Sequence, residues 1–207
     1  MVELYLIRHG KTYGNTLGRY IGTTDEALCP EGIAGLKTVH YSEVEAVFAS
    51  PMKRCVETAE LLFLGMRVQC FGKLRECDFG AFENKNYREL EDHPAYQAWV
   101  DSGGTLAFPG GESPEAFRKR CREGFLEVLA VIRKKQYKRA ALVVHGGTIM
   151  SILEAYAVPR KGFYDWQVKN GAGYRACWNE RSEGDVELFK VEPVGADRGL
   201  CSGSNLR

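Results

Sequence analysis

The 207-residue chain holds four histidines, at positions 9, 40, 93 and 145. Two of these, His9 and His145, directly follow apolar runs, Leu4 to Ile7 and Ala140 to Val144, and each stands just ahead of a glycine. A side chain at the end of a buried strand lies where α/β proteins gather their ligands, and a following glycine lets a ligand approach the backbone. Arg8, Lys11 and Asn15 surround His9 in sequence, and Ser50-Pro51-Met52-Lys53-Arg54 places Arg54 at the start of a helix pattern. A guanidinium holds phosphate oxygens bidentately, and a helix start adds unpaired N–H groups. Such a set of residues favours a phosphate dianion.

The elements that must position these groups can be read from periodicity. Val2 to Ile7, Glu45 to Ser50 and Ala140 to Val144 read as buried strands, the last as a central one covered on both faces. Met52 to Leu64 carries Val56, Ala59, Leu62 and Phe63 at helical spacing. Phe117, Cys121, Phe125, Val128 and Ile132 form a second apolar stripe. Ser113 as N-cap, Pro114 in the first turn and Glu115 at the positive end of the dipole start that second helix. Thr148 to Ala157 reads as a further helix stopped before Pro159, and Gly173 to Trp178 and Asp185 to Glu192 read as late strands. The alternation predicts a three-layer α/β/α domain over residues 1–194 with a mostly parallel sheet. Gly72 to Gly111, rich in Gly, Asn, Asp and short helix patterns, is expected to be a lid over the strand ends, with an ordinary surface excursion as the alternative, and residues 195–207 a flexible tail.

Composition narrows the function. With 28 basic and 27 acidic residues the chain generates no long-range field that would attract nucleic acid or an anionic membrane, so any anion site must be local. The apolar start meets Arg8 too soon to be a signal peptide or a membrane span, and a cytoplasmic protein is expected. Seven cysteines without a C-x-x-C pair read as reduced thiols. No metal-ligand spacing is visible, and neither a metal nor a cofactor is expected. Gly10-Lys11-Thr12 imitates the end of a nucleotide P-loop but lacks the glycine required where Tyr5 stands. Cys201 to Arg207 has the spacing of a cysteine-dependent phosphatase, yet has neither the preceding strand nor the following helix that would lower the thiol pKa.

Arg8-His9-Gly10 after an apolar strand, Arg54 in Ser-Pro-x-x-Arg, Leu74-Arg75-Glu76, and His145-Gly146-Gly147 together resemble the histidine phosphatase superfamily, the phosphoglycerate mutase-like proteins, over roughly residues 3 to 157. Four motifs in the right order are far more specific than any one alone. The resemblance implies a phosphoglycerate mutase-like fold and a phosphohistidine formed on His9. It further implies phosphoryl binding by Arg8, Arg54 and His145, and proton donation by Glu76. Asn15 matches an asparagine that contacts phosphate, and Gly22 and Gly146 are read as further phosphate contacts.

Elementary electrostatics agrees with that assignment. Two positive guanidinium groups beside His9 disfavour imidazolium, since unit charges about 4 Å apart interact by roughly 4 kcal/mol at an effective dielectric near 20. The ring should therefore stay neutral and nucleophilic. The segment from Leu74 to Glu83 and Pro109-Gly110-Gly111-Glu112-Ser113 resemble the phosphatase branch, including α-ribazole phosphatases. The short interval from Glu76 to Gly111, with Lys85 and Arg88 as its notable basic residues, is unlike the basic lid of mutases. A small phosphorylated substrate is expected. Phosphoglycerate mutase and an inactive phosphate-binding protein are the alternatives. Lys11, Ile21, Cys29 and Asn84 depart from the family pattern, and Ile21 with Phe82 to Tyr87 is expected to shape the leaving-group side. A monomer or homodimer is expected, with Tyr164 and Trp166 as the contact patch.

Overall fold

The computed structural model describes residues 1–179 and 186–195. In chain order the elements are β1 (Val2–Arg8), α1 (Tyr13–Thr16), α2 (Pro30–Leu36), β2 (Ala46–Ala49), α3 (Lys53–Leu62), β3 (Val68–Cys70), α4 (Tyr87–Leu90), α5 (Pro94–Asp101), α6 (Pro114–Lys135), β4 (Arg139–Val144), α7 (Gly146–Tyr156), β5 (Gly173–Trp178) and β6 (Leu188–Val194). The six strands form one sheet in the order β3-β2-β4-β1-β5-β6. The four strands from β3 to β1 run parallel, while β5 and β6 add antiparallel at one edge, which makes the sheet mixed but mostly parallel.

Strand alternation sends residues to opposite faces with period two. Leu4, Leu6, Phe48, Leu142 and Val144 pack with Phe125, Val128, Leu129 and Ile132 of α6 and Ile149, Ile152 and Leu153 of α7. Tyr5, Ile7, Val47, Ala49, Ala141 and Val143 pack with Cys55, Ala59 and Phe63 of the α3 side. These two cores make the three layers. Ser113 caps α6 as its sequence implies, with Oγ accepting from the Ala116 N–H at 3.1 Å.

Several elements differ from the sequence reading. The edge strand β3 and the helix α2 carry too little apolar periodicity to stand out, and α7 begins at Gly146, two residues early, because His145 is its N-cap. Cys29, where an oxygen cap is usual, starts α2 with its Sγ accepting from the Gly32 N–H at 3.4 Å. Asp185, most of the proposed tail and Cys201 to Arg207 lie outside the described residues. The stretch from Gly72 to Gly111 has its own aromatic core. Phe82, fully buried, meets Tyr96 and Phe108 edge-on at 5.4 and 5.8 Å, and Cys77, Leu90, Phe117 and Cys121 complete the cluster. Phe82 therefore packs inside this segment and does not line the leaving-group side. Trp166 is likewise 3% exposed and part of the main core, which leaves only Tyr164 of the expected contact patch at the surface. Asn84 stands at φ 56°, a left-handed conformation that Asn tolerates better than other side chains, where the family commonly has glycine.

Candidate active site

The chain brings Arg8, His9, Arg54, Glu76 and His145 to the carboxyl ends of β1, β2 and β4. Register fixes this: Arg8 pairs with Val144 and Ala49 with Val143, so the residues after the three strands emerge side by side. The His9 and His145 rings meet edge-on with centroids 5.2 Å apart.

His9 is 4% exposed. Its Nδ1 lies 2.6 Å from the Gly10 carbonyl oxygen, and since a carbonyl only accepts, Nδ1 carries the proton and Nε2 is left with the lone pair. Burial, then Arg54 and Arg8, hold the His9 pKa well below that of a free histidine. The backbone is pinned as well: the Gly171 N–H reaches the Arg8 and His9 carbonyls, and Asn170 Nδ2 donates to the His9 carbonyl at 3.1 Å. Asn15 Oδ1 accepts from Asn170 Nδ2 at 3.3 Å and from the Thr12 N–H at 3.2 Å, which ties Asn15 to the same loop.

Arg54 is buried and Arg8 half-buried, each in a setting that orients it. Arg54 is 0% exposed, and its Nη1 donates to the Thr24 carbonyl at 2.8 Å, its Nη2 to the Gly22 carbonyl at 2.9 Å and its Nε to His145 Nδ1 at 3.3 Å. Because Arg54 can only donate, His145 Nδ1 is the acceptor and its Nε2 proton goes to Ser50 Oγ at 2.8 Å. Burial first, then Arg54, keep His145 far below its usual pKa. His145 thus holds Arg54 while neutral. Arg8 donates from Nη1 to the Val168 carbonyl at 2.8 Å, and its buried Nε–H has no partner among the described residues. An unpaired buried guanidinium N–H beside two histidines is a ready donor for an oxyanion.

Glu76 sits across this group. Its Oε1 accepts from the Cys77 N–H at 3.0 Å and its Oε2 from the Gly147 N–H at 3.3 Å. Desolvation outweighs those hydrogen bonds and the two arginines, and raises the carboxyl pKa above the ordinary value, which favours a proton held for donation. Gly147 is required for this approach, since a Cβ there would lie 2.6 Å from Glu76 Oε1.

The sequence reading missed the groups that hold the site together. Arg120 uses all five of its N–H groups, on both oxygens of Glu112 and on the carbonyls of Lys73, Arg75 and Glu76, and so fixes the backbone that carries Glu76. Thr58 Oγ1 bonds both the Gly10 N–H and the Arg54 carbonyl, joining the two motifs. Gly22, read as a phosphate contact, lines the cleft beside Glu76 and gives its N–H to Glu83 at 2.8 Å. Ile21 is buried, with its side chain packed toward Gly14. Beside Glu76 opens a cleft of about 400 Å3 lined by Gly22, Thr23, Met52, Arg75, Glu76, Asp78, Gly111, Glu112 and Arg120. Among the described residues no helix is long and apolar enough to cross a membrane, and no group of three or more His, Cys, Asp or Glu side chains could hold a metal ion.

A buried histidine pair flanked by two guanidinium groups and a protonatable carboxyl, at the strand ends of an α/β sheet, has the charge and the donors to hold an oxyanion. The profile of the histidine phosphatase superfamily (branch 1) matches residues 4–189, and the chain belongs to that family. It is 29% identical to the adenosylcobalamin/alpha-ribazole phosphatase of Salmonella typhimurium over 187 residues, 86% of this chain and 89% of the relative. It is 27% identical to phosphoserine phosphatase 1 of Hydrogenobacter thermophilus over 172 residues, 79% of this chain and 75% of the relative. The crystal structure of the alpha-ribazole phosphatase from Shigella flexneri shares the fold with a TM-score of 0.78 at 24% identity, covering 94% of this chain and 96% of the other. A phosphoglycerate mutase from Thermus thermophilus is among the further structural matches.

Proposed function

We propose that the protein is a metal-independent phosphomonoesterase that hydrolyses a small phosphorylated metabolite through a phosphohistidine on His9. The observation that carries this reading is the His9 ring, whose Nδ1 proton is committed to the Gly10 carbonyl, so that Nε2 is the nucleophilic nitrogen. Nε2 attacks phosphorus while the P–O bond to the leaving alcohol breaks, and Glu76 gives its proton to the departing oxygen. Water then attacks the phosphohistidine, losing a proton to the Glu76 carboxylate, and the P–N bond breaks to free His9 and phosphate. Arg8 and Arg54 stabilise the charge that spreads over the equatorial oxygens in both steps. His145, whose Nδ1 accepts from Arg54 Nε and whose Nε2 donates to Ser50, serves the phosphoryl group by holding Arg54 in place.

The alpha-ribazole phosphatases among the relatives support α-ribazole 5′-phosphate as the first ester to test; the matching mutase supports 3-phosphoglycerate as the rival. Phosphate release from a panel of phosphomonoesters, in buffer containing a chelator, tests the reading. Wild-type turnover should survive chelation and vanish in His9→Ala. Turnover lost on chelation, or retained in His9→Ala, refutes it. Isomerisation of 3-phosphoglycerate in place of hydrolysis assigns the mutase reaction instead. Glu76→Gln separates enzyme from binder: it should lose turnover while inorganic phosphate still binds.

A further inference from the structure

The loop that holds Arg54 is itself held from the other side by a single carboxylate. Glu83 Oε1 accepts from the Gly22 N–H at 2.8 Å and from the Thr24 N–H at 2.9 Å, while the carbonyls of the same two residues accept from Arg54. The peptide joining Ile21 and Gly22 is bonded at both ends, its N–H to Glu83 and its carbonyl to Arg54 Nη2 at 3.4 Å. Each hydrogen bond polarises the next, so the anion on one side of the peptide strengthens the grip on the cation at the other.

Glu83 reaches this place through backbone pairing between the Gly72 to Gly111 segment and the loop: the Asn84 N–H donates to the Tyr20 carbonyl at 2.8 Å and the Tyr20 N–H to the Lys85 carbonyl at 2.9 Å. Glu83 Oε2 is buried with no partner among the described residues, so the loop N–H groups are what stabilise this carboxylate where it lies. Glycine at 22 is a condition of the arrangement, since a Cβ would stand 1.9 Å from the Cys77 carbonyl oxygen.

We infer that Glu83 is a positioning residue for Arg54, acting through the backbone of residues 21–24 to set the affinity of the site for the phosphoryl group. The inference rests on the reading that Arg54 binds phosphate. It ties the Gly72 to Gly111 segment to phosphate affinity.

A double-mutant cycle with inorganic phosphate as the probe tests it, reading Kd by calorimetry and KM and kcat with an ester that turns over. Glu83→Ala should weaken phosphate about tenfold and raise KM more than it lowers kcat, which corresponds to about 1.4 kcal/mol. In an Arg54→Ala background the same substitution should add less than about twofold, because the group it positions is gone. Equal losses in both backgrounds, or no loss in the wild type, overturn the inference, since a purely structural role would weaken both alike. Should Glu83→Ala fail to fold, Glu83→Asp serves in its place, one methylene too short to reach both N–H groups, with the same pattern expected at smaller amplitude. If Arg54→Ala itself leaves phosphate affinity unchanged, the phosphate role of Arg54 falls, and that outcome is distinct from a failure of the Glu83 coupling alone.

Discussion

Gly147→Ala places one methyl group against the proton donor without touching the phosphate pocket. The added Cβ would lie 2.6 Å from Glu76 Oε1 and 3.0 Å from the nearest Phe117 ring atoms. Ordinary contact begins near 3.4 Å, so the carboxylate must retreat by about 0.8 Å, and the 3.3 Å bond from the Gly147 N–H to Oε2 is disturbed with it. A misplacement of about 1 Å in a catalytic group can cost on the order of a hundredfold in rate. Turnover of an alkyl phosphate, whose leaving alkoxide needs a proton, should therefore fall by about that factor. An aryl phosphate with a stable leaving anion should lose much less. Phosphate affinity should hold, since Arg8, Arg54 and His9 are untouched. The helix should not weaken either, because alanine is a better helix former than glycine by roughly 0.8–1 kcal/mol. At the neighbouring Gly146 an added Cβ meets Arg8 Nε at 3.5 Å, an ordinary contact, and Gly146→Ala should lose no more than a few-fold. Steady-state kinetics on both variants with both esters decides the matter. An alkyl phosphatase rate in Gly147→Ala within about threefold of wild type would refute the placement of Glu76 as donor.

Activity requires His9 neutral and Glu76 protonated. With His9 lowered below 6.5 and Glu76 raised above 4.5, kcat/KM should persist as pH drops below 6.5 and decline as pH rises through the Glu76 pKa. After correction for substrate ionisation, Glu76→Gln should abolish the alkaline limb, and an acid limb at an unshifted histidine pKa would contradict the burial argument. Stability follows the opposite limb. His9 and His145 stay neutral in the fold but take up protons when unfolded below about 6.5, so their contribution is full above that pH and is lost as pH falls, by up to about 1.4 kcal/mol per pH unit for each. Urea melts of wild type and His9→Gln at pH 7 and 5.5 should show a shallower pH dependence in the variant, and parallel curves would count against it. Arg120→Ala strands the Glu112 carboxylate and three carbonyls, and should cost about 2–3 kcal/mol in urea unfolding together with kcat. Lost stability with kcat intact would show that Arg120 does not position Glu76.

The motif positions were legible in the sequence because each depends on local signals. An apolar run ending in Arg8-His9-Gly10 or His145-Gly146-Gly147 marks a buried strand that stops at a polar group, and Ser113-Pro114-Glu115 marks a helix start, whatever the rest of the chain does. The core of the Gly72 to Gly111 segment is not legible for the same reason. Its glycines and asparagines look loop-like one at a time, whereas Phe82, Tyr96 and Phe108 become a core only when distant residues such as Phe117 and Cys121 close over them. The Trp166 side chain was likewise assigned to the surface on its type, and burial came from packing in the main core.

By itself, then, the sequence determined which residue types arrive at the carboxyl ends of three strands, because hydrophobic periodicity and turn chemistry are properties of short windows. Only the tertiary structure decided what those residues can do there. The His9 tautomer depends on the Gly10 carbonyl, the Glu76 pKa on desolvation, and the orientation of Arg54 on carbonyls about thirty residues away. Backbone acceptors and burial have no side-chain signature in the sequence. The physical reason is that a carbonyl is the same in every residue, and only folding chooses which one a guanidinium meets.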